Sequence, residues 1–410
     1  MNHSRQKCAL LIIDGLGDLP VPELANRTPL EAARTPVLDR LAAKGRYGLM
    51  DPIVRGEIPN THSGSSLLLG IRPEQIGRVV RGPVEASGAG CSLQAGDIAL
   101  RANFATIEVR NDALFVIDRR AGRITSGANE LAGNLRDVDL GDGVRADLRS
   151  TDQHRGVLVL SGPGLDAAVS DTDPGDVDLP ALFPYCRPKQ SGADFTAGKI
   201  NLFIEEAHRR LQDHPLNIAR AGAGKLPANG LITRGAGAWF SVDSVFDEHG
   251  ISAAVVAGCN TVRGLGRMFG FEAISDPRFT AAFDTDLKAK MSAVVAALDH
   301  HEMVYLHVKA TDICAHDRKP LAKRDFIERI DQALDILVAA GSIIALTADH
   351  TTDSNTGFHT ADPVPALLYD PAAAATGEAV VFGEKACRNG NMERQTSVEF
   401  LRRIVQAMGY

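Results

Sequence analysis

Three short apolar runs in this chain each lead into an aspartate, and this pattern constrains the possible folds most strongly. The runs and their aspartates are residues 10–13 with Asp14, residues 304–308 with Asp312, and residues 343–346 with Asp349. Continuous apolar runs of this length are typical of strands that are buried on both faces, as in parallel sheets. Because open parallel sheets bind ligands at the carboxyl ends of their strands, we expect the three aspartates to meet at one edge.

Three histidines accompany these aspartates. His350 directly follows Asp349, His316 lies four residues after Asp312, and His359 lies beyond a short loop. Positions i and i+4 share one face of a helix, so Asp312 and His316 can point the same way. A single aspartate at a strand end is often only a turn former, but three such strand ends indicate a common site. Mixed Asp and His ligands suit Zn²⁺, Mn²⁺ or a related cation, and the number of aspartates favours two metal ions.

Strands alternate with amphipathic helices over most of the chain. Apolar residues recur at helical spacing in residues 287–298 and 326–337, each time just before one of the apolar runs. This alternation predicts an α/β fold with a parallel-type sheet sandwiched by helices. Between residues 82 and 193 the pattern changes to short β-like runs separated by Gly-, Asp- and Asn-rich turns. We therefore expect a core formed by residues 1–81 and 194–410, with a smaller inserted α/β domain at 82–193.

Composition narrows the functional classes. The net charge of −7 in 410 residues gives no reason to expect nucleic acid or an anionic membrane as partner. The six cysteines are scattered, which favours free thiols in a reducing compartment over disulfides. The apolar run before Asp14 is too short for a signal peptide, and no run approaches the roughly 20 apolar residues of a membrane span. We expect a cytoplasmic protein, and the sequence leaves its oligomeric state open.

Two further groups of polar residues can take part in chemistry. The stretch 58–66, with sequence IPNTHSGSS, supplies four hydroxyl groups ahead of an apolar segment, where most of them would ordinarily form a helix cap. Arginines are frequent in the predicted insertion, where the default interpretation is a solvated surface. The functional interpretation is a cap that binds a phosphate or carboxylate, with Arg119, Arg120 and Arg155 as the main candidates. Arg234 and Arg263 are weaker candidates in the core.

The chain resembles the archaeal-type cofactor-independent (2,3-bisphosphoglycerate-independent) phosphoglycerate mutases of the alkaline phosphatase superfamily. The resemblance covers nearly the whole chain, and its motifs are DGLGD at 14–18, RGP at 81–83, NFA at 103–105, DRRAGRI at 118–124, SDTDP at 170–174, HP at 214–215, RGAG at 234–237, and the two metal stretches. It implies an alkaline-phosphatase-like core and an isomerase that uses two divalent metal ions (Mn, Zn, Co or Mg) and no organic cofactor. The implied partner is a small phosphorylated acid.

The resemblance also implies roles for individual residues. One metal would be held by Asp14, Asp349 and His350 together with the nucleophile, and the other by Asp312, His316 and His359. The family's nucleophile is usually a serine in a loop similar to Pro-Gly-Ser-Asp-Thr-Ala-His, and Thr61 takes that position here. Ser65 stands where the family has histidine, and His62 where it has an acid. Lys309 joins the arginines as a substrate-binding candidate.

The reaction implied by the resemblance is an interconversion of 2- and 3-phosphoglycerate, or a close analogue, through a phospho-threonine at Thr61. The arginine-rich cap would exclude water, because water would turn the enzyme into a phosphatase. The altered loop keeps an alternative open, a metal-dependent hydrolase of a small phosphate monoester or phosphonate on the same core. A non-catalytic binding protein that retains the fold is a third class.

Overall fold

The computed structural model describes residues 5–111, 113–175, 177–240, 242, 244–373 and 379–410. The chain forms two compact units, one comprising residues 1–76 and 242–410 and the other comprising residues 77–241. Across the described ranges, every helix is too short or too polar to cross a membrane.

The strands, in chain order, are β1 (Cys8–Ile13), β2 (Arg46–Asp51), β3 (Ile98–Arg110), β4 (Ala113–Asp118), β5 (Val138–Asp139), β6 (Arg145–Ser150), β7 (Arg155–Ser161), β8 (Ala181–Leu182), β9 (Gly230–Ala238), β10 (Ala253–Val256), β11 (Glu272–Ile274), β12 (Met303–Val308), β13 (Ile343–Thr347), β14 (Thr351–Asp353), β15 (Phe358–Thr360), β16 (Val364–Tyr369) and β17 (Gln395–Thr396). The α-helices are α1 (Pro29–Ala32), α2 (Pro36–Lys44), α3 (Thr61–Leu68), α4 (Arg81–Gly88), α5 (Ala128–Gly133), α6 (Asp194–Leu211), α7 (Pro215–Gly222), α8 (Asn260–Met268), α9 (Leu287–Ala297), α10 (Ala310–His316), α11 (Pro320–Ala340), α12 (Glu384–Arg388) and α13 (Ser397–Ala407).

The first unit is built on a sheet with strand order β11-β10-β12-β1-β13-β16-β2-β17. Strand β1 lies at its centre, parallel to β12 on one side and to β13 on the other, with Ile13 beside Val308 and Ile12 beside Thr347. All residues of these three strands are buried, which explains their continuous apolar sequences. Because the strands are parallel and in register, the residues that follow them meet at one edge of the sheet. The predicted α/β core is confirmed.

The sheet is mixed, with one strand that runs against the others. Strand β16 pairs antiparallel with both β13 and β2, so β2 runs in the direction of β1. After β13 the chain forms the β14–β15 hairpin and returns as β16 without a crossover helix. An antiparallel return needs no crossover, whereas a parallel one does. The expectation of a parallel-type sheet therefore holds around β1, and β16 departs from it.

Helices pack on this sheet through the predicted apolar faces. The long helix α11 buries Phe326, Ile330, Leu334 and Leu337, which recur at helical spacing. Pro320 occupies its first turn, where a missing N–H costs nothing, and Gly341 ends it with φ of +71°. Both helix boundaries thus follow from local sequence.

The second unit is an antiparallel sheet of order β5-β6-β7-β3-β4-β8, with β9 also paired to β3. It extends beyond the predicted insertion of 82–193, because residues 194–241 contain α6, α7 and β9. Strand β9 pairs antiparallel with β3, with Ile232 beside Asn103, and α6 buries its apolar face in the same hydrophobic core. Sequence pattern can identify β9 as a strand but not the sheet that it joins. The predicted boundary at residue 193 therefore lies before the end of the second unit at residue 241.

Candidate metal centre

The three predicted aspartates lie together at the carboxyl edge of the first sheet. Asp14 directly follows β1, Asp312 lies in the first turn of α10 after β12, and Asp349 follows β13. The three are at most 2% exposed. The turn after Asp14 brings the Gly15 N–H to within 3.2 Å of Asp349 Oδ1. Gly15 has φ of +60°, and a Cβ there would lie 2.7 Å from Thr352 Oγ1, so this tight turn requires glycine.

Hydrogen bonds determine which ring nitrogen carries a hydrogen in two of the three predicted histidines. His316 Nδ1 lies 2.7 Å from Gly357 O, and His359 Nδ1 lies 3.0 Å from Pro59 O. A carbonyl oxygen only accepts, so both Nδ1 atoms are the donors, and in the neutral rings both Nε2 atoms carry lone pairs. Donation from Nδ1 to a backbone carbonyl is the arrangement commonly found in histidines that bind metal ions through Nε2.

Asp312, His316 and His359 form a set with the spacing of metal ligands. The two Nε2 atoms are 3.2 Å apart, and they lie 3.3 and 3.5 Å from Asp312 Oδ1. Metal–ligand bonds of about 2.0–2.1 Å would place tetrahedral ligand atoms about 3.4 Å from one another. The three distances match that value, so this set can hold one divalent cation. The hydrogen bond to Asp312 raises the pKa of His316, so protons compete with a cation for this pair.

The other predicted set surrounds the Thr61 hydroxyl. His350 Nε2 lies 3.1 Å from Asp14 Oδ1, 3.6 Å from Asp349 Oδ1 and 3.3 Å from Thr61 Oγ1. Thr61 Oγ1 is also 3.4 Å from Asp14 Oδ2. Burial and the nearby Asp14 carboxylate raise the pKa of Asp349. A cation at this point would neutralise two buried carboxylates that otherwise repel each other.

Helix α3 places Thr61 at its first residue. Asn60 caps the helix: its side chain accepts from the Ser63 N–H, and the Ser63 hydroxyl accepts from the Asn60 N–H. Ser63 is thus occupied in capping, as the default interpretation of this loop expected. Gly64 allows the helix to approach the site closely, because a Cβ there would lie 2.0 Å from Asp349 O. Ser65 is fully buried and donates to Asp349 Oδ2 at 3.1 Å.

Lys309 lies at the centre of these groups. Its Nζ is 3.0 Å from Thr61 Oγ1, 2.9 Å from Asp14 Oδ2 and 2.6 Å from Asp312 Oδ2. Burial alone would lower the pKa of Lys309, but the carboxylates of Asp14 and Asp312 outweigh it and raise that pKa. Burial acts against the ionised form of Asp14 as well, and Lys309 is the main reason that the pKa of Asp14 is nevertheless low. Lys309 therefore remains an ammonium group beside the hydroxyl.

His307 is a residue of the site that the sequence analysis missed. It is 1% exposed on β12, with Nε2 3.1 Å from Asp14 Oδ2, and it groups with Asp14 and Asp349 as a possible ligand set. A second such grouping joins Asp14 and Asp312 with His350. The signal for His307 was its position inside the apolar run 304–308, where a polar side chain in a buried strand needs a partner.

The predicted arginines do not all lie in one place. Arg119, Arg120 and Arg155 line a cavity of about 350 Å³ in the second unit. Its remaining lining residues are Arg101, Asn103, Arg123, Gln153, His154 and Arg234. Six arginines thus face one cavity, and the described lining includes no acidic side chain. Such a surface favours an anion with several oxygens, such as a carboxylate or phosphate.

Two buried residues that line this arginine cavity have lowered pKa values. Arg101 is 8% exposed, and burial together with Arg81 and Arg234 lowers its pKa to about 10. Burial, followed by Arg155 and Arg120, lowers the pKa of His154 to about 4, so this ring is neutral at physiological pH. Burial is the main cause of both pKa shifts, and the neighbouring arginines add positive charge that a bound anion would offset.

Arg263, the remaining predicted arginine, belongs to the first unit. It lies on α8, and its Nη2 donates to Asn260 Oδ1 at 3.1 Å. The residues that line the arginine cavity all belong to the second unit, and Arg263 is not among them. Arg234, which was also predicted for the core, does line this cavity.

Comparisons with known proteins show what this chain is similar to. Residues 6–402 match the Metalloenzyme superfamily. A 2,3-bisphosphoglycerate-independent phosphoglycerate mutase of Methanopyrus kandleri is 41% identical over 89% of this chain and 87% of its own length. A protein with the same name plus the number 1, from Archaeoglobus fulgidus, is 39% identical over 88% of both chains. The solved structure of a cofactor-independent phosphoglycerate mutase from Thermoplasma acidophilum superposes with a TM-score of 0.74 at 33% identity, covering 98% of this chain and 100% of that one.

Proposed function

The chain belongs to the Metalloenzyme superfamily and, within it, to the cofactor-independent phosphoglycerate mutases, which are isomerases; from that premise we propose that it interconverts 2- and 3-phosphoglycerate through a phosphothreonine at Thr61. The observation that carries the proposal is the position of the Thr61 hydroxyl. It lies within 3.5 Å of Asp14, His350 and Lys309, at the first residue of a helix. Helix N-termini favour phosphate because their N–H groups lack partners.

The residues present fit two divalent cations. We propose that Asp312, His316 and His359 would hold one, and that Asp14, Asp349 and His350 would hold the other. The cations would supply positive charge that favours deprotonation of the nucleophile and neutralises phosphoryl oxygens. The mixture of carboxylate and imidazole donors suits manganese, zinc or cobalt. Magnesium is a further candidate, and the carboxylates are the donors that suit it.

In the first half of the reaction, Thr61 Oγ1 attacks the phosphorus atom of 3-phosphoglycerate. The new Oγ1–P bond forms as the bond from phosphorus to the C3 oxygen breaks, and the departing glycerate oxygen takes up a proton while Thr61 releases one. Lys309 Nζ, at 3.0 Å, donates to Oγ1 and stabilises the negative charge that develops there. Asp14 Oδ2 lies 3.4 Å from Thr61 Oγ1, accepts a hydrogen bond from the hydroxyl and orients it.

In the second half, the C2 oxygen of glycerate attacks the phosphorus atom and the bond from phosphorus to Thr61 Oγ1 breaks. The C2 hydroxyl releases a proton, Thr61 Oγ1 takes one up, and 2-phosphoglycerate leaves. Glycerate must stay bound between the two transfers, because without it water would hydrolyse the phosphothreonine. We propose that Arg119, Arg120 and Arg155, which line the arginine cavity of the second unit, bind the carboxylate of the substrate. The neutral His154 ring can donate a hydrogen bond to a substrate hydroxyl, or accept one from it, without adding charge.

The altered loop around Thr61 was the reason to consider a hydrolase. Ser65, one of the altered positions, is buried and donates to Asp349 Oδ2. It therefore supports a carboxylate of the metal centre, which gives the substitution a role that a mutase can use. The same contact would serve a hydrolase, and we prefer the mutase because the relatives of this chain carry that name.

The test is ³¹P NMR of the Mn²⁺-reconstituted protein with 3-phosphoglycerate, recorded after quenching and removal of the metal. Appearance of the 2-phosphoglycerate resonance supports the mutase. Free phosphate with no 2-phosphoglycerate would contradict it and favour the hydrolase. No change in a protein that binds two Mn²⁺ ions would contradict phosphoglycerate as the substrate.

A further inference from the structure

Thr352 connects the two proposed ligand sets through a single hydroxyl group. Its Oγ1 lies 2.9 Å from Asp312 Oδ1 and 2.9 Å from His350 Nδ1. Asp312 belongs to one set and His350 to the other. The side chain is fully buried on β14, so water does not compete for these hydrogen bonds.

The Thr352 hydroxyl has a single hydrogen, and only one hydrogen-bond arrangement leaves both proposed ligand sets able to bind cations. A threonine hydroxyl has one hydrogen to donate, and an ionised carboxylate can only accept. When Thr352 donates to Asp312, its remaining lone pairs accept a hydrogen from His350 Nδ1. The neutral His350 ring then carries its lone pair on Nε2, which is the atom 3.1 Å from Asp14 and 3.3 Å from Thr61.

The opposite arrangement would disable one set. If Thr352 donated to His350 Nδ1, the ring hydrogen would move to Nε2 and point at Asp14, where it would block a cation. Asp312 Oδ1 would at the same time lose its hydrogen-bond donor from Thr352. That oxygen is the one facing His316 and His359, so its orientation matters for the first set.

We propose that Thr352 is a positioning residue that sets the ring tautomer of His350 and the orientation of Asp312, so that one hydroxyl prepares both cation sets. The inference rests on the proposed two-cation centre and extends it. Thr352 contacts neither substrate nor cation in this account, and it acts only through the two ligands.

The backbone around Thr352 is held independently of its hydroxyl. The Thr352 N–H donates to Gly17 O at 3.0 Å, and Thr352 O accepts from Lys323 Nζ at 3.3 Å. Valine has nearly the same shape as threonine, so Thr352→Val removes the hydrogen bonds while the strand remains anchored. Thr352→Ser keeps the hydroxyl and is the conservative variant.

Thr347→Val is the matched control. Thr347 is equally buried, at the end of β13, and its hydroxyl donates to Pro365 O at 3.1 Å instead of to a proposed ligand. It measures the general effect of removing a buried hydroxyl from this sheet.

The experiment is a Mn²⁺ titration of the metal-stripped, full-length variants, with free Mn²⁺ followed by electron paramagnetic resonance. Wild type should bind two ions, and Thr352→Val should weaken both by about 10–100-fold, the usual effect of removing a hydrogen bond to a metal ligand. Thr352→Ser and Thr347→Val should stay close to wild type. In addition, ¹⁵N NMR of the Zn²⁺-loaded wild type should show His350 protonated at Nδ1.

Three results would overturn the inference. The first is Thr352→Val binding both ions within about twofold of wild type, and the second is an equal loss in Thr347→Val. The third is a His350 ring protonated at Nε2. If wild type itself binds fewer than two ions, the two-cation centre fails first and the inference fails with it, which separates the two failures.

Discussion

His316 Nε2 and His359 Nε2 lie 3.2 Å apart, while the Nδ1 atom of each ring donates to a main-chain carbonyl. Two neutral imidazoles in this arrangement direct lone pairs at each other, which is unfavourable unless a proton or a cation lies between them. Asp312 Oδ1, within 3.5 Å of both nitrogens, completes a three-sided set. The rings are therefore oriented by loop carbonyls for a shared positive charge.

Removing one ligand should abolish activity without unfolding the protein. His316→Ala and Asp349→Ala should each lower kcat/KM by at least about 10²–10³-fold, since a preorganised charge partner is lost. Circular dichroism should show an unchanged fold, because His316 ends helix α10 and Asp349 follows strand β13, and neither belongs to the apolar core. His301→Ala is the control, since His301 pairs with Glu272 away from this centre. Near-normal turnover in either ligand variant would contradict the two-cation centre.

Gly64 should be intolerant of even one added methyl group. In Gly64→Ala the new Cβ would start 2.0 Å from Asp349 O, so α3 must move and carry Thr61 with it. A displacement of about 1 Å can cost about 10²-fold in rate, and we expect a loss of that size in kcat. Gly198→Ala, where a Cβ meets nothing within 4 Å in helix α6, should instead gain about 0.5–1 kcal/mol in stability. Unchanged kcat in Gly64→Ala would contradict the positioning of Thr61 by α3.

Replacement of Arg101 should stabilise the fold and weaken substrate binding. Its guanidinium is buried among like charges, which lowers its pKa to about 10. Arg101→Met should therefore raise the free energy of unfolding by about 1–3 kcal/mol, while KM for phosphoglycerate increases. Urea denaturation and steady-state kinetics measure the two effects. Arg209→Met, which removes an exposed arginine paired with Glu206, should leave KM unchanged. An unchanged KM in Arg101→Met would argue against anion binding in the arginine cavity.

Glu384 should make stability depend on pH. Burial raises its pKa to about 7, and the side chain accepts from Thr28 Oγ1 and from the Asp18 N–H. An acid whose pKa is raised on folding binds more protons in the native state, so its contribution to stability is lost as pH rises from about 4.5 to about 7. The shift corresponds to about 3 kcal/mol at pH 8.

The check compares urea unfolding of wild type and Glu384→Gln at pH 5 and pH 8. Glutamine imitates the protonated acid, so the variant should lack this part of the pH dependence. The difference between the two proteins should grow by up to about 3 kcal/mol between the two pH values. A constant difference would show that Glu384 is ionised in the native state across the whole range.

The positions of the proposed ligands near the strand ends could be predicted from sequence because they depend on local pattern. Buried parallel strands appear in the sequence as short apolar runs, and the residues that follow each run emerge at the same edge of the sheet. Asp14, Asp312 and Asp349 were located in this way, and the i, i+4 spacing correctly placed Asp312 and His316 on one helix, α10. The six proposed ligands do converge.

Contacts between distant segments could not be predicted in the same way. The carbonyls of Pro59 and Gly357 that orient His359 and His316 carry no side-chain signal, since any residue offers a carbonyl. His307 was hidden within an apolar run. The second unit was predicted to end at residue 193, because the pairing of β9 with β3 joins residues more than a hundred positions apart.

The most direct test of the central claim is to trap the phosphoryl group on the protein. Mn²⁺-loaded wild type, Thr61→Ala and Thr61→Ser are mixed with ³²P-labelled 3-phosphoglycerate, quenched in acid and digested, and the labelled peptide is sequenced by mass spectrometry. The account predicts label on Thr61 in wild type, on the serine in Thr61→Ser, and on no residue in Thr61→Ala, which should be inactive. Label on another residue such as Ser63, or full activity of Thr61→Ala, would contradict it.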